Sequence, residues 1–278
     1  MEFNPKTKII VFIMALVLFA LGAIVTDLYV DWMWFKSQAL QQVFITTLFS
    51  KVLLRTVVVL GFFVVFLLNF LAARKTLVEL IHKVSPEKVI RLQKPFWEKF
   101  IEGRGLIGLF SLISLLLAFI FSAFASDNWM VVQQYLHAGS FGIVDPLYGQ
   151  DIGFYVFKLP FYQLIYNYLM AGIIVSGVAA ALIYLITSPM AFYKRPLSEF
   201  SRPKVHLSVL IALFFLLKAW GYKLSTYALL YSSHDVLYGA GYADINARLF
   251  ALKTLWVIAL ICSLAIVLNL FVRKLKWV

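Results

Sequence analysis

Six runs of about 20 apolar residues constrain this chain more than any other feature. They lie at roughly 9–30, 52–72, 105–125, 164–186, 205–222 and 252–272. At about 1.5 Å of rise per residue, each is long enough as a helix to cross the hydrocarbon of a bilayer. Open strands would leave backbone N–H and C=O groups unpaired in lipid, so these runs read as helices. The composition agrees. Of the 278 residues, 63% are hydrophobic and 14% charged, with a mean hydropathy of +0.90, against roughly half and a quarter in a soluble domain. The lone Cys262 makes no internal disulfide. The expected fold is an all-α polytopic transmembrane helical bundle, one domain over 1–278. The first run is expected to stay as an anchor. It exceeds the roughly 7–15 apolar residues of a signal peptide, and Asp27, Asp31, Trp32 and Trp34 follow it in place of a small-residue cleavage site.

Basic residues set the orientation. The N-terminal segment, the loops 73–104 and 187–204 and the C-terminal end hold seventeen Lys and Arg; the opposite ends and loops hold seven. All six Glu fall on the first side and all seven Asp on the second. Both termini are therefore expected in the cytoplasm. The net charge of +12 records this asymmetry and an attraction to anionic inner-leaflet lipid. No basic stripe interleaved with stacking aromatics sits on a soluble module, so nucleic acid is not an expected partner.

The cytoplasmic loop 73–104 reads as amphipathic. Ser85-Pro86-Glu87 has a capping residue and a proline at the first helical position. Val89, Leu92, Phe96 and Phe100 follow at helical spacing, and Pro95 breaks or kinks the helix. The segment lies either in the inner interface or beneath the bundle. Three outer gaps carry motifs. The gap 31–51 opens with Asp31-Trp32-Met33-Trp34-Phe35. The loop 126–163 carries Asp145-Pro146, then Asp151-Ile152-Gly153-Phe154-Tyr155 running on to Phe157, Leu159, Pro160 and Phe161, whose rings read as an interfacial belt. The loop 223–251 carries His234, Asp235 and Gly239-Ala240-Gly241-Tyr242, with Asp244, Asn246, Ala247 and Arg248. No internal repeat is legible, and no loop is long enough for an independent core.

Together these three motifs resemble uncharacterised protein family 0182, a group of bacterial multi-pass membrane proteins, in order and over nearly the whole chain. Members carry further sequence with a large extracytoplasmic region. The resemblance implies a plasma (inner) membrane location and multi-pass architecture, with this chain as a truncated member or the front of a split one. It implies no reaction.

Acid–base or metal chemistry needs converging groups. His137, His234 and the outer Asp residues have no metal-ligand spacing, so the chain is expected to be no enzyme and to hold no metal or other cofactor. Gly239-Ala240-Gly241 and Gly103-Arg104-Gly105 lack the rest of a phosphate-binding loop. Lys218 lies inside a run and is expected to snorkel or to pair with an outer Asp, a substrate role being the alternative. The candidate residues are Asp31, Trp32, Asp145, Asp151, Tyr155, Asp244 and Arg248, with Lys218 as the intramembrane charge. On a structural reading, Asp145 and Asp151 cap helices or pair with Arg248 or Lys223. Gly172, Ser176 and Ala180 form a small-residue packing stripe, and Asn69 and Asn269 hydrogen-bond near inner helix ends. The expected function is the membrane moiety or scaffold of a larger envelope assembly, in contact with the lipid bilayer and with a protein partner bearing an extracytoplasmic domain. The alternatives are a transporter or lipid-handling protein with a cavity near Lys218, and an outer-face metal-dependent enzyme. Oligomeric state stays open.

Overall fold

The computed structural model describes residues 5–84, 103–187, 201–234 and 237–272. Among them are seven α-helices: α1 (Pro5–Ser37), α2 (Gln41–Val84), α3 (Arg104–Ala123), α4 (Trp129–Leu136), α5 (Leu159–Thr187), α6 (Ser201–Ala228) and α7 (Leu249–Val272). All but the short α4 are long and apolar enough to cross a membrane. A π-helical turn precedes α5 (Phe154–Lys158) and another precedes α7 (Asp244–Arg248). Among the described residues, β pairing is confined to an isolated bridge and a two-residue antiparallel pairing of β1 (Ser233–His234) with β2 (Leu237–Tyr238). The all-α helical bundle expected from the apolar runs is the fold observed.

The chain forms two compact units, one ending at Leu54 and one beginning at Arg55. In the first, the expected gap 31–51 is a corner of three residues between two helices. Ser37 Oγ donates to the Trp34 carbonyl at 2.7 Å, Ala39 takes a left-handed φ of 57°, and Leu40 N–H returns to the Phe35 carbonyl at 2.9 Å. Those bonds satisfy carbonyls that a helix end leaves open. Trp32 and Phe35 then meet Phe44 of α2 at 5.6 and 5.5 Å between ring centroids. Hydropathy marks where lipid would begin, whereas backbone hydrogen bonds carry the helices past it. In the same way α2 continues to Val84, well into the expected loop 73–104. Ser85-Pro86-Glu87 and the amphipathic residues Val89 to Phe100 lie outside the described residues.

The second unit has its apolar core among α2, α3 and α5. Phe66 and Phe70 of α2 pack with Leu106 and Phe110 of α3, and Val175, Ala179 and Ile183 of α5 close the cluster. The stripe Gly172, Ser176 and Ala180 is buried along α5. Small residues are likewise buried on α6 (Ser208, Ala212, Ala219) and α7 (Ala259, Ser263), and Ser263 Oγ joins the two helices by donating to the Ala212 carbonyl at 2.9 Å. Lipid gives no hydrophobic drive for helix pairing, so close approach over small residues supplies the dispersion contacts that hold such helices.

Candidate functional site

The end of this unit where α3 finishes and α5 begins carries a cap built by carboxylates. Asp145 follows Asx chemistry, in which a short acid bonds the backbone just ahead of it. Its Oδ1 accepts the N–H groups of Leu147 (2.9 Å) and Tyr148 (2.6 Å); its Oδ2 accepts Gln150 N–H (2.8 Å) and the Tyr155 hydroxyl (2.7 Å). Asp151 is filled in the same manner. Ser140 Oγ and Gly142 N–H donate to Oδ2 at 2.6 and 2.9 Å, and Phe141 N–H and Gly153 N–H donate to Oδ1 at 3.1 and 2.7 Å. The bond to Gly153 makes Asp151 the N-terminal cap of the helical stretch that opens at Ile152 and runs through the π turn into α5. Each carboxylate thus accepts four hydrogen bonds, which is close to its full lone-pair capacity.

Asp244 is the buried acid of the second loop. Its Oδ2 accepts Gly241 N–H at 3.1 Å, as the acid of a capping box does, and lies 3.1 Å from Ser232 Oγ. Its Oδ1 lies 3.6 Å from Arg248 one turn on. Arg248 is largely exposed, so this pair adds little by itself. Rings join the two loops. Tyr155 lies 5.9 Å from Tyr231, Tyr148 lies 4.9 Å from Tyr227, and Tyr148 donates its hydroxyl to the Thr226 carbonyl at 2.9 Å.

Of the two alternatives for Asp145 and Asp151, pairing with a base falls away. Asp145 and Asp151 bond to backbone N–H and hydroxyl groups and not to Arg248 or Lys223, because both acids sit inside turns whose N–H groups converge on them. Lys223 instead lies 5.1 Å from the Tyr227 ring and 5.9 Å from the Trp256 ring. The partly buried Lys218 sits 5.3 Å from the Tyr222 ring, one turn nearer the cap end, the direction a snorkelling lysine takes. Asp31 is exposed in the first unit, and Trp32 belongs to the aromatic corner there. The Oδ1 atoms of Asn69 and Asn269 are buried without a hydrogen-bond partner among the described residues, against the bonding expected of them.

The sequence reading missed Ser140, Tyr148 and Ser232, and named Gly153 within a motif without giving it a role. The signal for that role was available: a Cβ at Gly153 would overlap the Gly139 carbonyl oxygen, and a glycine two residues after a capping Asp is how such an approach is written. It also missed a structural echo. Both π turns end in a base (Lys158, Arg248), precede a buried leucine (Leu159, Leu249), and follow a backbone N–H held by an aspartate.

Electrostatics follow from this bonding. The Ser140 hydroxyl, then the N–H groups of Phe141 and Gly153, hold the Asp151 carboxyl well below its ordinary 3.8, at about 2. For Asp145 burial pushes upward, but the Tyr155 hydroxyl and the N–H groups of Tyr148, Gln150 and Leu147 outweigh it and the carboxyl is lowered. Burial raises the Tyr148 phenol. A carboxyl depressed in the folded state contributes stability above its unfolded value, and that contribution is lost as pH falls through the folded value. The loop 139–153 is therefore expected to hold its amide protection above pH 4 and to lose it progressively between about pH 4 and pH 2, as followed by hydrogen exchange. Protection that falls already between pH 7 and 5 would contradict the assignment. Among the described residues no three His, Cys, Asp or Glu side chains gather as a metal site requires.

The sequence model of the Uncharacterised protein family (UPF0182) matches residues 8–278. The chain belongs to this family. It is 36% identical over 271 residues to a UPF0182 protein of Desulforamulus reducens, covering 93% of this chain and 29% of that one. It is 42% identical over 250 residues to one of Moorella thermoacetica (89% and 27%) and 40% identical over 271 residues to one of Pelotomaculum thermopropionicum (95% and 29%). The chain thus spans less than a third of the length of these curated relatives. No solved structure matches it. Within this UPF0182 member the cap is where the acids of two of the three motifs meet ordered partners.

Proposed function

We propose that this chain is the membrane moiety of a larger envelope assembly in the plasma membrane of a bacterium, non-enzymatic, with both termini in the cytoplasm and the cap outside. In that role the cap is a dock for a protein with an extracytoplasmic domain. One observation carries the reading: the Asp145 and Asp151 carboxylates are filled by their own loop. Groups bonded in this way stiffen a surface and have little capacity left for a substrate proton or a metal. The stiffened loop presents Phe141, Ile143 and Val144, each more than half exposed, beyond the apolar spans. Contiguous apolar surface of this kind marks an interaction site, and relatives more than three times longer leave room for a further part of such an assembly. Lys218 over Tyr222 adds nothing to the transport reading.

The test is a pull-down of tagged chain from gently solubilised native membranes, with mass spectrometry of proteins and lipids. A stoichiometric partner with an extracytoplasmic domain is expected. The double substitution Phe141→Asp, Ile143→Asp should reduce its recovery on the order of tenfold, with the amount of folded chain unchanged. A chain recovered alone with one specific lipid or solute, from wild-type membranes, would overturn the dock.

A further inference from the structure

Ionisable side chains on an apolar helix are costly in lipid, and where they persist they are commonly met by opposite charge. Helix α1 carries two acids one turn apart, Asp27 and Asp31, and α2 carries two bases one turn apart, Lys51 and Arg55. Asp27 lies within the first apolar run and Arg55 within the second. All four are exposed, and among the described residues none of them is ion-paired. The most apolar stretch of α1 has no buried residue, whereas each of the other five spans buries part of its own. The chain thus presents α1 with its acids uncovered.

The charges continue the stripes on which the two helices touch. Phe35 and Trp32 of α1 meet Phe44 of α2 at 5.5 and 5.6 Å. Asp31 and Asp27 stand one and two turns before Phe35, and Lys51 and Arg55 two and three turns after Phe44, so each pair shares the face of its ring. Leu28 and Leu48 on those same faces are exposed, so the helices part beyond the rings. A cleft results, with acids on one wall and bases on the other. The levels also match. Asp31 and Asp27 stand six and ten residues before the end of α1, about 9 and 15 Å from the corner. Lys51 and Arg55 stand ten and fourteen residues after the start of α2, about 15 and 21 Å from it. Long side chains lean toward the N-terminus of their helix, here the corner, by about one turn or roughly 5 Å. That brings the ammonium to the level of Asp31 and the guanidinium to that of Asp27.

An occupant of this cleft needs bases toward α1 and acids toward α2. A second copy of the chain has both. A two-fold axis along the helices keeps every charge at its own level, lays α1 of each copy on α2 of the other and forms both pairs twice, as a self-complementary contact requires. Closing the cleft within one chain would instead have to repack the corner that Ser37, Ala39 and Leu40 fix and the rings fill. We propose that α1 and the first half of α2 form the interface of a homodimer, in which Asp27 and Asp31 of each copy pair with Arg55 and Lys51 of the other. This interface is independent of the cap and of any partner there.

The test is co-purification of two differently tagged copies of the full chain, co-expressed in one membrane. Wild-type copies are expected to co-purify; recovery of single copies only overturns the proposal. Charge reversal then locates the contact. One variant carries Asp27→Lys with Asp31→Lys, the other Lys51→Asp with Arg55→Asp. Between two copies of the same variant, like charges meet and co-purification should fall on the order of tenfold. Between one copy of each variant it should return, because acids again meet bases in both halves of the interface. Pairing within one chain cannot be rescued by such mixing, since each variant keeps like charges on its own two helices. A mixture that stays apart, or reversed copies that associate as the wild type does, refutes the dimer. The neutral pair Asp27→Asn with Asp31→Asn serves where reversal prevents insertion. It keeps side-chain shape and should also weaken co-purification at unchanged chain abundance; co-purification at the wild-type level refutes the pairing.

Discussion

Gly153→Ala is expected to remove the cap and most of the folded protein with it. The glycine carries helical dihedrals, so the backbone tolerates alanine there, and the obstacle is space. A Cβ would overlap the Gly139 carbonyl oxygen and come within 2.9 Å of Asp151 Oδ1. The first is backbone and has no rotamer to change. Relief requires moving residues 139–142, and those carry three of the four donors that fill Asp151. Overpacking against side chains costs about 1–3 kcal/mol. Here the overlap also opens a hydrogen-bonded loop, so the cost lies at or above the top of that range. The expected result is at least a tenfold loss of the monodisperse peak in fluorescence-detected size exclusion, with new protease cleavage between 137 and 152. Gly139→Ala is the control, because nothing lies within 4 Å of a Cβ there. Asp151→Ala should resemble Gly153→Ala in cleavage pattern, since it removes the same four bonds from the other side. If Gly153→Ala yields folded protein at the wild-type level, residues 139–153 do not pack as described.

The apolar runs were legible because hydropathy averages over many residues and tolerates local error. Helix ends were not, because single bonds decide them. Ser37 Oγ and Ala39 end α1 after the lipid-facing run, and nothing in the hydropathy of Asp31 to Lys36 separates a helix from a loop. The roles of the acids were half legible. Asp151 as a helix cap follows from an Asp ahead of Gly and aromatic residues, while the bond from Tyr155 to Asp145 spans ten residues and needs the loop already folded. The echo between the two π turns was hidden by register. Asp151 stands three residues before its turn, and Asp244 is the first residue of its own. Aligning the acids therefore misaligns Lys158 with Arg248 and Leu159 with Leu249. Of the two roles expected of Lys218, snorkelling or pairing with an outer Asp, its place over the Tyr222 ring agrees with the first, and the motif acids of this unit are held by their own turns or by Arg248.

The second large effect is expected at the α5–α6 contact. Tyr166 of α5 lays its ring on Gly221 of α6, where a Cβ would overlap ring atoms Cζ and Cε2 and the hydroxyl oxygen. The same ring packs in the cluster of Tyr155, Leu159 and Leu224 beneath the cap and meets Trp220 edge-on at 6.1 Å, so it cannot swing away without uncovering that cluster. Gly221→Ala should therefore push α6 from α5 and lower Tm by about 5 °C or more. The helix pair α6–α7, held by its own small-residue seam, moves with it. Tyr166→Ala alone also destabilises, through the cavity it leaves. The two changes are not additive, because the second removes the clash created by the first. In the Tyr166→Ala background Gly221→Ala should cost almost nothing, a coupling of about 1–3 kcal/mol between the positions. Additive losses would mean that the ring does not rest on Gly221. A coupling of that size would instead identify this glycine–tyrosine contact as what seats α6 beneath the loop that Asp145 and Asp151 hold in shape, and so as the route by which a change within the bundle reaches the cap.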